Sequence, residues 1–155
     1  MLEALSRFEL RAGNIDAAVA AADRAARTHD DPFLAELAAF VRVSGVAQGS
    51  TPATPYLAEG AARYRDLVDT WPQRGPSRVG LGVALALMGD ADAAIRELLV
   101  AAELGPASAE PWSNLAQIYL RRGETEQARE AVREGLSRVP DDEPLLALNQ
   151  QLEEA

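Results

Sequence analysis

The chain contains no cysteine and no lysine, a single histidine, and no apolar run near the ~18 residues that a membrane span requires. Without cysteine there are no disulfides, thiolate zinc sites or cysteine nucleophiles. All fifteen basic residues are arginine, most plainly a mark of codon usage in a GC-rich genome. The lone histidine, His29, lies in THDDP beside Asp30 and Asp31 with no second histidine to share a metal or a proton, and reads as a solvated turn residue. GxGxxG, GxxxxGK[ST] and HExxH are all missing. The N-terminal MLEALSRFELRAG carries acids where a signal peptide needs positive charge, and it has no continuous apolar stretch. The expectation is a cytoplasmic protein, or a fragment of something larger. A net charge of −9 argues against nucleic-acid binding, which needs basic surface to displace counterions from phosphate. The 155 residues, 48% hydrophobic and 25% charged, have the makeup of one soluble domain with a sizeable core.

What the chain does have is a repeat. Arg78, Leu81, Gly82, Leu85, Gly89, Ala94, Leu98, Ala101 and Pro106 recur 34 positions later as Trp112, Leu115, Ala116, Tyr119, Gly123, Ala128, Val132, Gly135 and Pro140, without a gap. A fixed period of this length signals stacked helical hairpins. Trp112, Leu115, Ala116 and Tyr119 stand at i, i+3, i+4 and i+7, one face of a helix. Gly123 permits the reversal into a second helix, and Pro140 ends that helix. Ala128 is small so that the two helices can approach; enlarging Ala94 or Ala128 should cost about 1–3 kcal/mol.

Residues 5–13, LSRFELRAG, align with LAQIYLRRG at 115–123, and Ala18, Ala22 and Ala25 follow at second-helix positions. Asp16, Asp92 and Glu126 recur early in the second helices, where a carboxylate favours the positive helix end. The middle unit is irregular. Leu34, Leu37, Ala38, Val41 and Gly45 fit a first helix, and Gly60, Tyr64, Leu67 and Pro72 a second, with ten extra residues placed in or near VAQGSTPATP. The segment after Pro140 restarts a first helix alone. Its Asp141, Asp142 and Glu143 lack the spacing of a calcium loop and read as capping and first-turn charges.

The pattern W-x2-L-G-x2-Y, A-x3-F, P resembles the tetratricopeptide repeat (TPR) family. That resemblance implies an all-α, right-handed superhelix of helical hairpins, a single domain over 1–155. The expected hairpins are 1–30, 31–74 with a loop inserted near 46–55, 75–108 and 109–142, followed by a C-terminal capping helix at 143–155. Pentatricopeptide repeats have a similar length but bind RNA, which the acidic charge disfavours.

In the TPR family binding resides on the concave surface, lined by the first helix of each hairpin. The positions so implied are Glu3, Arg7 and Arg11; Ala35, Ala39 and Arg42; Val79, Val83 and Ala86; and Ser113, Asn114, Gln117 and Arg121. The preferred candidates are Arg7, Arg11, Arg42, Val79, Val83, Asn114, Gln117 and Arg121. Chaperone-binding members use a lysine–asparagine clamp, which a chain without lysine cannot reproduce. Trp112 falls at a family packing position; Trp71, beside Pro72, is also read as packing. Glu126 with Arg129, Glu130 with Arg133, and Glu134 with Arg138 have ion-pair spacing on a solvated face.

The third first helix, PSRVGLGVALALMG, is apolar nearly all round and so should be covered on every side. The inserted segment, a partner or a second copy of the chain are equally open as the cover of Val79, Val83 and Leu87. The expected function is a non-catalytic protein–protein interaction module that seats a peptide or helix, without cofactor or metal. An accessory domain of a larger enzyme or secretion machine, and a self-assembling homo-oligomer, are the alternatives.

Overall fold

Gly13, Gly89 and Gly123 adopt left-handed φ values of 80°, 88° and 74°, where a Cβ would be strained. After each glycine, the next amide donates to the carbonyl five residues back: Asn14 to Glu9, Asp90 to Leu85 and Glu124 to Tyr119, each at 2.9 Å. The same bond thus closes three equivalent helix ends and reverses the chain each time.

The computed structural model describes residues 1–28, 31–47 and 54–154. Among these it contains nine helices and no strand: α1 (Leu2–Arg11), α2 (Ile15–Thr28), α3 (Pro32–Ala47), α4 (Thr54–Thr70), α5 (Gly75–Leu87), α6 (Ala91–Leu104), α7 (Glu110–Arg121), α8 (Thr125–Arg138) and α9 (Glu143–Glu153). Each helix packs on the next in the chain, and the odd-numbered helices also touch one another in sequence, α1 on α3, α3 on α5, α5 on α7 and α7 on α9. The odd helices therefore share one side of the stack. The architecture is an all-α helical-repeat solenoid.

Small residues set the distance between paired helices. Ala18, Ala94 and Ala128 are fully buried, as are the larger Leu98 and Leu115 beside them. A Cβ on Gly82 would lie 2.7 Å from Leu98 Cγ and 3.2 Å from the Ala94 carbonyl. Ser6 holds the matching place in α1 and satisfies its buried hydroxyl by donating to the Ala18 carbonyl at 2.9 Å. Ala128→Leu should therefore lower stability in urea denaturation by about 1–3 kcal/mol. Asp90 and Asp142 cap α6 and α9 through the Ala93 and Leu145 amides at 3.1 and 3.0 Å.

Helix α5 is apolar all round because it stands in the middle of the stack, with α3, α4, α6 and α7 all against it. Val79 is buried by these neighbours, while Val83 and Leu87 are partly buried at the edge of the same core. The inserted segment is not needed to explain them; residues 48–53 of it, like His29 and Asp30, lie outside the described residues.

Gly45 does not end α3. The helix runs on to Ala47, and Gly45 sits inside it against Ile15, whose Cδ1 lies 2.9 Å from where a Cβ would be. On the outer face, Glu130 pairs with Arg133, and Glu134 approaches Arg138 at 3.7 Å. Arg129 instead donates to the Leu152 carbonyl at 2.8 Å, tying α8 to α9.

The first unit exposes a face that later units bury. Leu5 and Phe8 are 40% and 66% exposed. Their counterparts Leu115 and Ile118 are 1% and 6% exposed, because α6 covers that side of α7.

Candidate functional site

A cavity of about 320 Å³ opens on the side shared by the odd-numbered helices. Arg7 of α1, Phe33, Glu36, Phe40 and Ser44 of α3, Val79 and Val83 of α5, and Glu110 and Asn114 of α7 line it, with Tyr64 reaching in from α4. Tyr64 gets there because α5 has no side chain at Gly80: a Cβ at that position would lie 2.1 Å from the Tyr64 ring. The centre of the cavity is aromatic and aliphatic. Phe33 and Phe40 are 43% and 44% exposed, as residues stacked one above the other at i and i+7 on one helix face.

The charged lining residues differ in what already holds them. Glu36 accepts two hydrogen bonds from Arg74, at 2.7 and 2.5 Å, and a third from the buried Ser77 hydroxyl. Arg7 pairs with Glu3 one turn earlier at 3.2 Å. The carboxylate of Glu110 has, among the described residues, neither a hydrogen bond nor an ion pair. Although Glu110 is solvent-accessible, the walls of the concavity displace enough water to raise its carboxyl above the usual glutamate range. Burial likewise raises the Tyr64 hydroxyl, with the charges of Glu36 and Glu110 adding to the effect, so it stays neutral at physiological pH. Asn114 donates to the Glu110 carbonyl at 2.9 Å.

Of the sequence candidates, Arg7, Val79, Val83 and Asn114 come together in this cavity. Arg11, Gln117 and Arg121 are exposed on the same helices outside its lining. Arg42 is elsewhere: it is 3% exposed, and its guanidinium bridges three helices. It donates to Asp23 of α2 at 3.0 and 2.8 Å, to Glu59 of α4 at 3.1 Å and to the Ala38 carbonyl at 2.7 Å.

The cause is a shift of one residue in the register of α3. Cavity-lining residues of α3 have counterparts on α5 that come 43 positions later: Phe33 with Pro76, Glu36 with Val79, Phe40 with Val83. The sequence alignment placed them 44 apart, Leu34 with Arg78. In the observed register Arg42 takes the inward place of Leu85, and the cavity face falls on Phe33, Glu36 and Phe40 rather than on Ala35 and Ala39.

Burial alone would raise the Asp23 carboxyl, but hydrogen bonding and charge from Arg42, with Arg63 and Arg27 adding to them, hold it below the ordinary value of 3.8. An aspartate lowered in this way contributes stability that is present above the unfolded value and lost as pH falls through the folded one. Stability in a urea series should therefore drop as pH falls below 3.8. Asp23→Asn, less stable at neutral pH, should show a shallower acid dependence.

Trp112 is half-buried, with the Arg138 guanidinium 4.8 Å from its ring centroid; the indole Nε1 is buried without a hydrogen-bond partner among the described residues. Trp71 is half-buried and packs on the core.

Tetratricopeptide repeat family models match residues 75–99 and 89–152, together half of the chain. The chain belongs to the tetratricopeptide repeat family. No curated protein matches its sequence. Among solved structures, TTC0263, a thermophilic TPR protein of Thermus thermophilus, superimposes with a TM-score of 0.86 at 24% identity, over 99% of this chain and 80% of that one. MamA gives 0.70 at 16% identity over 99% and 79% of the two chains. YrrB, described as a TPR protein with an unusual peptide-binding site, gives 0.71 at 17% identity over 94% and 71%. These likenesses support the TPR fold. No helix among the described residues is long and apolar enough to cross a membrane.

Proposed function

We propose that this TPR chain is a non-catalytic protein-interaction module that seats a peptide or helical segment of a partner protein in the cavity between α1, α3, α5 and α7. The observation that carries this reading is the pair Phe33 and Phe40, exposed inside a concavity where most large apolar residues of a soluble protein would be covered. Four packed helices hold the lining in place before a ligand arrives, which lowers the ordering cost of binding. The relative YrrB, with its peptide-binding site, adds support by analogy. A cytoplasmic place of work belongs to the same reading.

The test is affinity capture with the wild-type chain beside Val83→Glu and Phe40→Glu baits. Phe40 is exposed and Val83 only partly buried at the cavity edge, so the variants should fold, whereas Val79→Glu would place a charge in the core. Proteins held by wild type and lost by both variants would support the reading. Equal capture by all three baits would overturn it.

A second reading, self-assembly, is favoured by the uncovered Leu5 and Phe8 of α1, which hold core positions in the later units. Sedimentation of wild type against Leu5→Glu, Phe8→Glu should then show association in the first only. A wild-type monomer at high concentration would remove this reading.

A further inference from the structure

Three charged residues line the cavity, and two of them are already neutralised within the chain. Arg7 at the α1 end is held by Glu3, and Glu36 on α3 by Arg74 and Ser77. Glu110, at the α7 end, is left with no cation among the described residues. The chain as a whole carries −9, so its field also draws cations toward this opening. Between the ends lie Phe33, Phe40, Val79 and Val83. The chain has three phenylalanines, and two of them stand exposed here. A carboxylate beside exposed aromatic faces suits a side chain that is both cationic and long-stemmed. An arginine or lysine can lay its alkyl stem along apolar surface and put its charge on the acid.

Resting on the peptide-binding reading above, we infer that the cavity selects a segment bearing an arginine or lysine next to one or two large apolar residues. The cation pairs with Glu110 and the apolar neighbours cover Phe33 and Phe40. This fixes the direction in which the segment lies, its basic end toward α7. The arginine candidates do not set this preference, because Arg42 is buried and Arg7 is paired.

A random dodecapeptide library displayed on phage tests this, selected on wild type, Glu110→Gln and Val83→Glu baits. Peptides enriched on wild type over Val83→Glu should carry Arg or Lys next to Phe, Leu or Trp. Synthetic copies should bind Glu110→Gln about tenfold or more weakly. Val83-dependent peptides that are acidic, or that bind Glu110→Gln as well as wild type, would overturn the inference and leave the peptide-binding reading standing. No peptide distinguishing wild type from Val83→Glu would overturn both. Circular dichroism of the three baits, expected to be indistinguishable, shows that binding rather than folding is compared.

Discussion

Arg42→Ala should destabilise the chain by about 3 kcal/mol, the lower end of what breaking a buried ion pair costs. The guanidinium is 3% exposed and joins α2, α3 and α4 through Asp23 and Glu59. Removing it strands Asp23, which is only 18% exposed and keeps just the longer, 3.3 Å contact to the more exposed Arg63. Part of the loss is also packing, since the arginine stem fills space between helices. Glu59, 56% exposed, returns to water at little cost. A double variant, Asp23→Ala with Arg42→Ala, removes both charges and should recover part of the loss. Urea denaturation of wild type, the two single variants and the double variant gives the coupling energy. A double variant no more stable than Arg42→Ala would mean that packing, not charge, is what Arg42 supplies.

Leu115→Ala should cost about 2–5 kcal/mol and Leu5→Ala well under half of that, although the two leucines hold the same place in the repeat. Leu115 is 1% exposed, between α6 on one side and α8 on the other; Leu5 is 40% exposed because, among the described residues, only α2 and α3 border α1. The stability of a stacked-repeat protein is close to a sum over units and their interfaces, so an end unit contributes one interface fewer. Urea titration followed by circular dichroism measures both variants. Equal losses would show that the face of α1 is covered in solution, as self-assembly requires.

Helices α5 to α8 were legible because each pair has a glycine at positive φ and a closing proline, which leave the period no freedom. The same glycine signal placed α1 and α2. The second unit was harder to read for a physical reason. LAELAAFVRV has apolar residues on every side and only Glu36 and Arg42 charged, so its pattern fits two registers one residue apart, and the inserted segment removed the anchor that would have chosen between them. One residue turns a helix by about 100°. That rotation carries Arg42 from the concave face into the core and brings Phe33 and Phe40 out. A warning was present in Phe40, which in the aligned register fell where the neighbouring repeats bury Ala84 and Ile118. The acids that receive Arg42, on α2 and α4, are far from it in sequence, and only the stacking brings them together. Glu110 was overlooked because it precedes the Trp112 position from which the repeat was counted.

The helices contact only near neighbours along the stack, so the molecule resembles a short coil spring whose bending is limited by one interface at a time. The cavity draws its walls from α1, α3, α5 and α7, each touching the next, whereas among the described residues no contact joins α1 directly to α7. On the proposed reading, a segment lodged between them would act as a splint, resisting flexing of the coil and coupling α1 to α7. Occupancy should then register as slower amide exchange in α1 and α7 together, the two walls that do not touch each other.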